Sequence, residues 1–383
     1  MLLPYDPGSV GAMCAELDEW RRRLDRAGPL PRRWAGRLRR DLEAESVAAS
    51  VGMEQVPVTV DEVRRILAGE RPTSVRAEDR ALVVGYRDAM EYVLRRADDP
   101  GFAWSRELVV ALHDSVLGGN HALGAGRLAA GPRFIVDHRT GREIYAPPAA
   151  GDLPRLVDLA CERMTKGHEH PALASAWIHI ALAAIHPFRD GNGRAARVLA
   201  SLAMYREGFQ RREFTSLEEW WGGRLADYYS SFSCLGNSFS PEADVTPFVA
   251  AHVGAQLSQV RALDLRLRVE RRIWGALEVS VEDAGLQARV VNAAWDAFFD
   301  RDVTPAYYIP LTDVSRATAT NDLAAAVAAG LLAAVGAGRS RRYRAGPRLY
   351  DGVASYLGIA GTEHDARRRI VATLSADLSH PPE

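Results

Sequence analysis

One stretch gathers a titratable base, a carboxylate, two glycines flanking an amide and two arginines: His186-Pro187-Phe188-Arg189-Asp190-Gly191-Asn192-Gly193-Arg194-Ala195-Ala196-Arg197. Pro187 disfavours helical backbone at His186, so a preceding helix must end there. The imidazole then sits at a helix end with an ordinary pKa near neutral pH, suited to general-base work. Gly191 and Gly193 can turn successive N–H groups to one side, and such a nest binds anions. A helix restarting at about Asn192–Arg194 brings its N-terminus to the same spot. Arg194 and Arg197 share a face of that helix, so both can point at phosphate oxygens. Asp190 is a hard oxygen ligand suited to Mg²⁺ bridging those phosphates. Phe188 is the apolar plug that fixes the loop to a core.

Taken singly, each residue is at home in a solvated loop with a capping Asn and surface arginines. Taken together, nine specified types, each at roughly 5% usage, do not fall into this order by accident. Two apolar helical runs must position the loop, Leu173 to Ile185 before it and Val198 to Tyr205 after it.

The stretch resembles the Fic (Fido) signature His-Pro-Phe-x-Asp/Glu-Gly-Asn-Gly-Arg-x-x-Arg at every fixed position. The resemblance implies an all-α helical bundle that transfers AMP from ATP to a Ser, Thr or Tyr hydroxyl of a target protein. It implies that His186 deprotonates the hydroxyl and that Asp190 holds Mg²⁺. It further implies that Gly191, Asn192 and Gly193 cradle phosphates, while Arg194 and Arg197 bind the β- and γ-phosphates.

The chain has 383 residues, 47% of them apolar, enough for two domains or more. A net charge of −1 argues against a protein that coats nucleic acid. Lys166 is the sole lysine, and with abundant Ala this suggests a GC-rich genome rather than a mechanism. Cys14, Cys161 and Cys234 are widely spaced and odd in number, which fits a reduced, cytoplasmic setting. The start lacks a basic, apolar leader pattern, and no apolar run is long enough for a membrane span, so neither is expected.

In chain order, helices are expected at residues 10–27, stopping at Gly28-Pro29, and at 32–50, 76–97 and 104–117. By charge and position alone Glu54 is an exposed helix-end carboxylate. Beside the Fic signature, Ser50-x-x-x-Glu54-Gln55 is similar to that family's inhibitory motif, Ser/Thr-x-x-x-Glu-Gly/Asn, and departs from it at Gln55. Its N-terminal position is that of class II members. Glu54 is thereby implied to pair with Arg197 and compete with the γ-phosphate for one guanidinium.

Runs at 133–137 and 142–145 flank His138-Arg139-Thr140-Gly141 and read as a β-hairpin. In the resemblance this hairpin is the flap, whose Phe134, Ile135, Val136, Ile144 and Tyr145 hold the target segment by strand addition. Helices are expected at 152–165, 171–186, 193–207 and 216–233, and one from Asp244–Thr246 to about Arg268. The Asp227-Tyr228-Tyr229 pair fits a core or, by resemblance, an adenine pocket, with Tyr229 as the contact. The family's following asparagine falls on Gly236 by strict count, with Asn237 one position off.

Beyond about 270, Val303-Thr304-Pro305 begins a β-prone piece. A turn and helix capped by Ser315 follow, then a hairpin with a basic tip around Arg339 and Arg341. Helix-turn-helix plus wing is a winged-helix (α+β) pattern. It is similar to the C-terminal domain of many class II Fic proteins. Arg316, Thr318, Thr320 and Asn321 could reach bases, and Arg339, Arg341 and Arg342 phosphates. Ala-rich faces and neutral charge favour protein contact or homodimer packing over DNA.

The expected organisation is 1–100 as a helical region carrying the inhibitory helix (about 32–55), 101–268 as the Fic core, 269–348 as the winged helix and 349–383 as a tail. The tail is expected to hold one apolar helix and to end in disorder-prone Ser379-His380-Pro381-Pro382-Glu383. The expected function is Mg²⁺-dependent AMP transfer from ATP, held down by Glu54, with self-modification or Glu54-dependent AMP removal as variants. The alternative is a winged-helix regulator whose Fic domain senses nucleotide. Transfer of phosphate or phosphocholine would keep the fold and change the chemistry.

Overall fold

The computed structural model describes residues 2–26, 32–136, 141–209, 217–338, 341–359 and 366–379, with the backbone alone for 32–39 and 379. The chain divides into two compact units, Met1–Val260 and Arg261–Glu383. The expected helix stop at Gly28-Pro29, the hairpin turn at His138–Thr140, wing-tip Arg339 and the last four residues lie outside the described residues.

The first unit opens with α1 (Gly11–Arg26), α2 (Arg32–Gly52), α3 (Val60–Leu67), α4 (Ala77–Ala97) and α5 (Arg106–Val116). Sequence reasoning missed α3. Its signal is the Thr59-x-x-Glu62 spacing: Thr59 accepts from the Glu62 amide while Glu62 accepts from the Thr59 amide, a reciprocal cap. Next, β1 (Ile135–Val136) and β2 (Glu143–Tyr145) pair antiparallel, with Ile135 opposite Tyr145 and an irregularity between Ile135 and Val136. Beyond β2, Ala146 bridges Ser238 in parallel.

Three helices then position the loop: α6 (Leu153–Lys166), α7 (Pro171–Ile185) and α8 (Asn192–Arg206). Both α7 and α8 are buried on nearly every side; α7 is apolar nearly all round, whereas α8 also buries Asn192, Arg194, Arg197 and Ser201. They pack along each other, and α4 and α5 pack on α8. Each fully buried Leu or Ile in this layer, such as Leu182, Ile185 or Leu199, contributes about 1.5–3 kcal/mol.

Two expected helices differ in extent. The one expected at 216–233 is α9 (Leu217–Gly222), α10 (Leu225–Ser231) and a 3₁₀ turn at Phe232–Leu235. Gly222-Gly223 is a weak helix former, and Arg224 stands at φ −140°, outside helical backbone. The helix expected to stop near Arg268 is α11 (Thr246–Asp283). Buried Val260, Leu263, Leu267, Trp274, Leu277 and Val281 recur at spacings of three, four and seven, so the helical pattern carries on past the expected end.

The second unit holds α12 (Val291–Phe298), α13 (Pro305–Thr312), α14 (Arg316–Ala328), β3 (Leu332–Val335), β4 (Arg342–Ala345), α15 (Leu349–Leu357) and α16 (Ala366–Ser379). Ser315 caps α14 by accepting from the Thr318 amide. The antiparallel β3–β4 hairpin follows, which completes helix-turn-helix plus wing. Val303 forms one bridge to Tyr343, but Thr304 caps α13 and Pro305 opens it, so the β-prone piece is one residue deep. The tail contains two helices where one was expected.

Candidate active site

The loop between α7 and α8 is set by its own backbone. His186 ends α7 in the left-handed conformation, φ 48° and ψ 57°. For a non-glycine residue this costs about 1–3 kcal/mol and persists only where surroundings enforce it. One enforcing contact is local and one comes from a distant segment. The His186 amide donates to the Leu182 carbonyl, and its carbonyl accepts from Arg133 Nε at 2.9 Å. Gly191, at φ 75°, is the left-handed N-cap of α8. Buried Asn192 closes the turn twice, with Nδ2 donating to the Phe188 carbonyl and Oδ1 accepting from the Phe188 amide, both at 2.9 Å. Its side chain is therefore spent on the loop itself.

Two further residues hold the loop, and sequence reasoning missed both. The fully buried His113 of α5 stacks on Phe188 at 3.6 Å between ring centroids. Its Nδ1 accepts from the Gly126 amide, so Nε2 carries the proton that it donates to the Asp190 carbonyl at 2.8 Å. Burial lowers its pKa, which keeps that tautomer neutral. Arg133 joins the His186 carbonyl to that of Pro148 beyond β2. The only signal was composition: a His and an Arg near structured segments, with no spacing that points to the loop.

The charged groups converge on the start of α8. Asp190 Oδ1 accepts from the Gly191 amide and from Arg194 Nη2. Arg194 is 2% exposed, and its Nε and Nη1 have no hydrogen-bond partner among the described residues. No side chain caps the N-terminus of α8. One turn further, Arg197 is gripped by α2. Its Nε donates to Ser50 Oγ, and its Nη2 donates to the Ser50 carbonyl and to Glu54 Oε1, each at 2.9 Å. Glu54 is thus half-buried and paired, not an exposed helix-end carboxylate. Burial raises its carboxyl pKa, but the Arg197 and Arg194 charges outweigh that and hold it below the ordinary range.

Glu54 also explains why position 193 is glycine. A Cβ there would lie 2.4 Å from Glu54 Oε1 and 3.0 Å from Arg197 Nη1. Burial pushes His186 down to about 4, so its imidazole is neutral at pH 7 and able to accept a proton.

The flap residues divide. Phe134, Val136 and Ile144 are exposed and Ile135 is half-buried. Tyr145 is buried and its hydroxyl donates to the Ala184 carbonyl of α7, so it anchors the hairpin. Tyr229 is exposed, with its hydroxyl donating to the Met53 carbonyl. Its neighbour Tyr228 is buried, 3.5 Å from Arg197 Nη1 and 3.0 Å from His179 Nε2. Asn237 is exposed and takes part through its carbonyl, which accepts from the Ala146 amide. Among the described residues no three His, Cys, Asp or Glu side chains gather as a metal cluster. Among those residues, too, no helix is long and apolar enough to cross a membrane.

Residues 103–204, which span the loop, its two helices and the flap, match the model of the Fic/DOC family. Residues 302–346, in the second unit, match the model of "Transcriptional regulator DIP2311-like, C-terminal domain". The Fic domain is similar to that of "Protein adenylyltransferase Fic" from Nematostella vectensis, 34% identical over 130 residues, 33% of this chain and 29% of that one. The protein of that name from Drosophila persimilis is 25% identical over 221 residues, 56% of this chain and 39% of that one. The chain therefore spans well under half the length of these relatives.

A Fic family protein from Desulfovibrio desulfuricans superposes with a TM-score of 0.58 at 21% identity, over 91% of this chain and 99% of that one. A Fic-domain signaling protein from Bacteroides thetaiotaomicron gives 0.54 at 20% identity, over 65% and 94%. At these identities the likeness is one of fold.

Proposed function

We propose that the Fic domain transfers AMP from ATP to a hydroxyl side chain of a protein, and that Glu54 restrains it. The observation that carries this reading is Arg194. Two N–H donors of a buried guanidinium, without partners among the described residues, belong to the first turn of a helix with no side-chain cap, and the oxygens of a phosphate chain can take them up. The adenylyltransferase names of the relatives agree with ATP as that anion.

The residues then have separate tasks. The target's hydroxyl oxygen forms a bond to the α-phosphorus, the α–β bridging P–O bond breaks and pyrophosphate leaves. Neutral His186 takes the hydroxyl proton. Arg194 and the first-turn amides of α8 stabilise charge on the phosphate chain. Exposed Phe134, Val136 and Ile144 offer a strand edge to the target. Exposed Tyr229 would cover the purine.

Asp190 would hold Mg²⁺. A single part-exposed carboxylate fits, because Mg²⁺ keeps several waters and shares phosphate oxygens. The ion would supply charge neutralisation there. Arg197, the remaining cation, is occupied by Glu54, so the γ-phosphate must displace that carboxylate.

The test uses the Glu54→Gly protein with ATP labelled at the α- or the γ-phosphate. Label should enter protein from the α-position only and vanish in Glu54→Gly/His186→Ala. Entry from the γ-position would overturn AMP transfer. Arg194→Ala should weaken nucleotide binding at least tenfold, about 1.4 kcal/mol.

A second reading rests on the regulator-like match at 302–346: the second unit binds DNA and the Fic domain senses nucleotide. Exposed Arg316, Thr320 and Asn321 on α14 are available for it. Against it, Arg342 and Arg344 of the wing are both paired with Asp302, which takes them from any phosphate. Salt-dependent binding to a defined DNA site would favour this reading.

A further inference from the structure

Ser46 and Ser50 share one face of α2, and Glu54 continues that line in the turn just past its last residue, Gly52. Ser46, Ser50 and Glu54 fall four residues apart and stack one above another. Ser50 and Glu54 hold Arg197. Ser46 turns to a different carboxylate: its Oγ donates to Glu218 Oε2 of α9 at 3.3 Å. The other oxygen, Glu218 Oε1, accepts from the Tyr86 hydroxyl of α4 at 2.7 Å. The Ser50 side chain also bears on that hydroxyl. Glu218 is 2% exposed and Tyr86 fully buried.

A carboxylate withdrawn from water is costly unless its oxygens are hydrogen-bonded. Burial pushes Glu218 above the ordinary carboxylate range, against the pull of Tyr86, its own amide, Arg197 and Ser46. Its two side-chain bonds go to two different helices, one to α2 and one to α4. Apolar contacts tie the same elements. Met53, just beyond α2, clusters with Leu217, Trp221 and Tyr228. A Cβ at Gly222 would come within 3.2 Å of Ala49 Cβ, so α9 and α2 approach closely.

We propose that Glu218 is a positioning residue, a buried latch that fastens the Ser46 end of this helix face to Tyr86 so that Glu54 stays in register with Arg197. The proposal rests on Glu54 being the brake. Arg197 grips the face at Ser50 and Glu54, and Glu218 grips it one turn earlier, about 6 Å along the axis. With both grips intact, a phosphate that displaces Glu54 must compete with a fixed helix. With the latch cut, Arg197 is left as the polar grip on this face beside the apolar packing, and Glu54 yields more readily. Among the described residues Glu218 makes no hydrogen bond to His186, Asp190 or Arg194, and it bears on Arg197 through charge.

The test compares Ser46→Ala, Tyr86→Phe, Glu218→Ala and Glu218→Gln. The first two remove one hydroxyl at nearly constant shape. Gln can accept from Tyr86 and bond Ser46, so it serves as the conservative rescue. Each is made with Glu54 present and in Glu54→Gly. Transfer of α-labelled AMP and amide hydrogen exchange across residues 41–54 are both followed.

Tyr86→Phe and Glu218→Ala should raise transfer at least threefold and speed exchange across 44–54. Glu218→Gln should stay near the parent, and none should add to Glu54→Gly. Unchanged exchange in Tyr86→Phe and Glu218→Ala would overturn the latch. So would an equal loss of transfer in both backgrounds, which would make Glu218 a support for Arg197 alone. If Glu54→Gly itself leaves transfer unchanged, the brake reading falls, and exchange alone decides whether Glu218 holds α2.

Discussion

Glu54 and Arg197 are 143 residues apart in the chain and 2.9 Å apart in the fold. Arg197 is almost wholly buried, so its charge must be matched by something, and the Glu54 carboxylate just past α2 does so. Any nucleotide phosphate that uses this guanidinium has to replace a contact that already satisfies it. Glu54→Gly should therefore raise AMP transfer tenfold or more, and Glu54→Asp, one methylene shorter, should fall between. Incorporation of label per mole of protein checks the order. Equal labelling of all three proteins would remove Glu54 from any inhibitory role.

His113 acts on the loop from outside it. Replacing it by Ala leaves the Gly126 amide and the Asp190 carbonyl without their partner and takes the stacking ring from Phe188. One unsatisfied buried group costs about 1–3 kcal/mol, so His113→Ala should destabilise the protein by about 3 kcal/mol. Denaturant midpoints report that loss. In the Glu54→Gly background the same change should lower transfer, because the Asp190 backbone is no longer held. Full stability with full transfer would show the contact to be dispensable.

The pH response follows from six histidines with lowered pKa values: His113, His168, His170, His179, His186 and His252. Burial leads each shift, to about 4 for His168 and His186 and about 3 for His252. Unfolded histidines bind protons below about 6.5, whereas these stay neutral in the fold. The unfolded state then holds more protons, so stability is present above about pH 6.5 and is lost as pH falls toward 4. Each such group contributes up to about 1.4 kcal/mol per pH unit in that window. Glu54, with a lowered pKa, acts in the same direction at lower pH. Thermal midpoints should drop steadily from pH 7 to 5, and a flat profile there would contradict the burial of these rings.

The parts legible in the sequence are those written in short spacings. Pro187 announced the end of α7, and the Gly191 turn announced the start of α8, because both act on their own backbone. The all-α core was implied by the family resemblance, and the apolar runs placed its helices. Ser315 as the cap of α14 and the hairpin after it followed in the same way. Contacts between distant segments left no such mark. His113 meets Asp190 across 77 residues and Arg133 meets His186 across 53. Neither pair has a pattern that pure periodicity can find. Glu54 was reached through resemblance to a motif, and Glu218, which holds the same helix, has no motif. Helix ends failed where two signals compete: Gly222-Gly223 broke a helix whose apolar spacing continued, while α11 ran on through Gly275.

Gly193 separates the restraint from the phosphate site. An alanine methyl there would sit 2.4 Å from Glu54 Oε1, a flexible side-chain end that can move aside, and α8 itself tolerates alanine. The fold should hold, with a thermal midpoint close to that of the parent. The displaced carboxylate loses its register with Arg197, so Gly193→Ala should raise transfer while Glu54 is present. In Glu54→Gly there is no carboxylate to displace, and the same methyl only narrows the approach of a phosphate to the first turn of α8. There Gly193→Ala should lower transfer and weaken nucleotide binding. The sign of the effect thus reverses between the two backgrounds, and label incorporation in the four proteins reads it directly. The same sign in both would mean that Glu54 and the phosphate do not share this turn of helix.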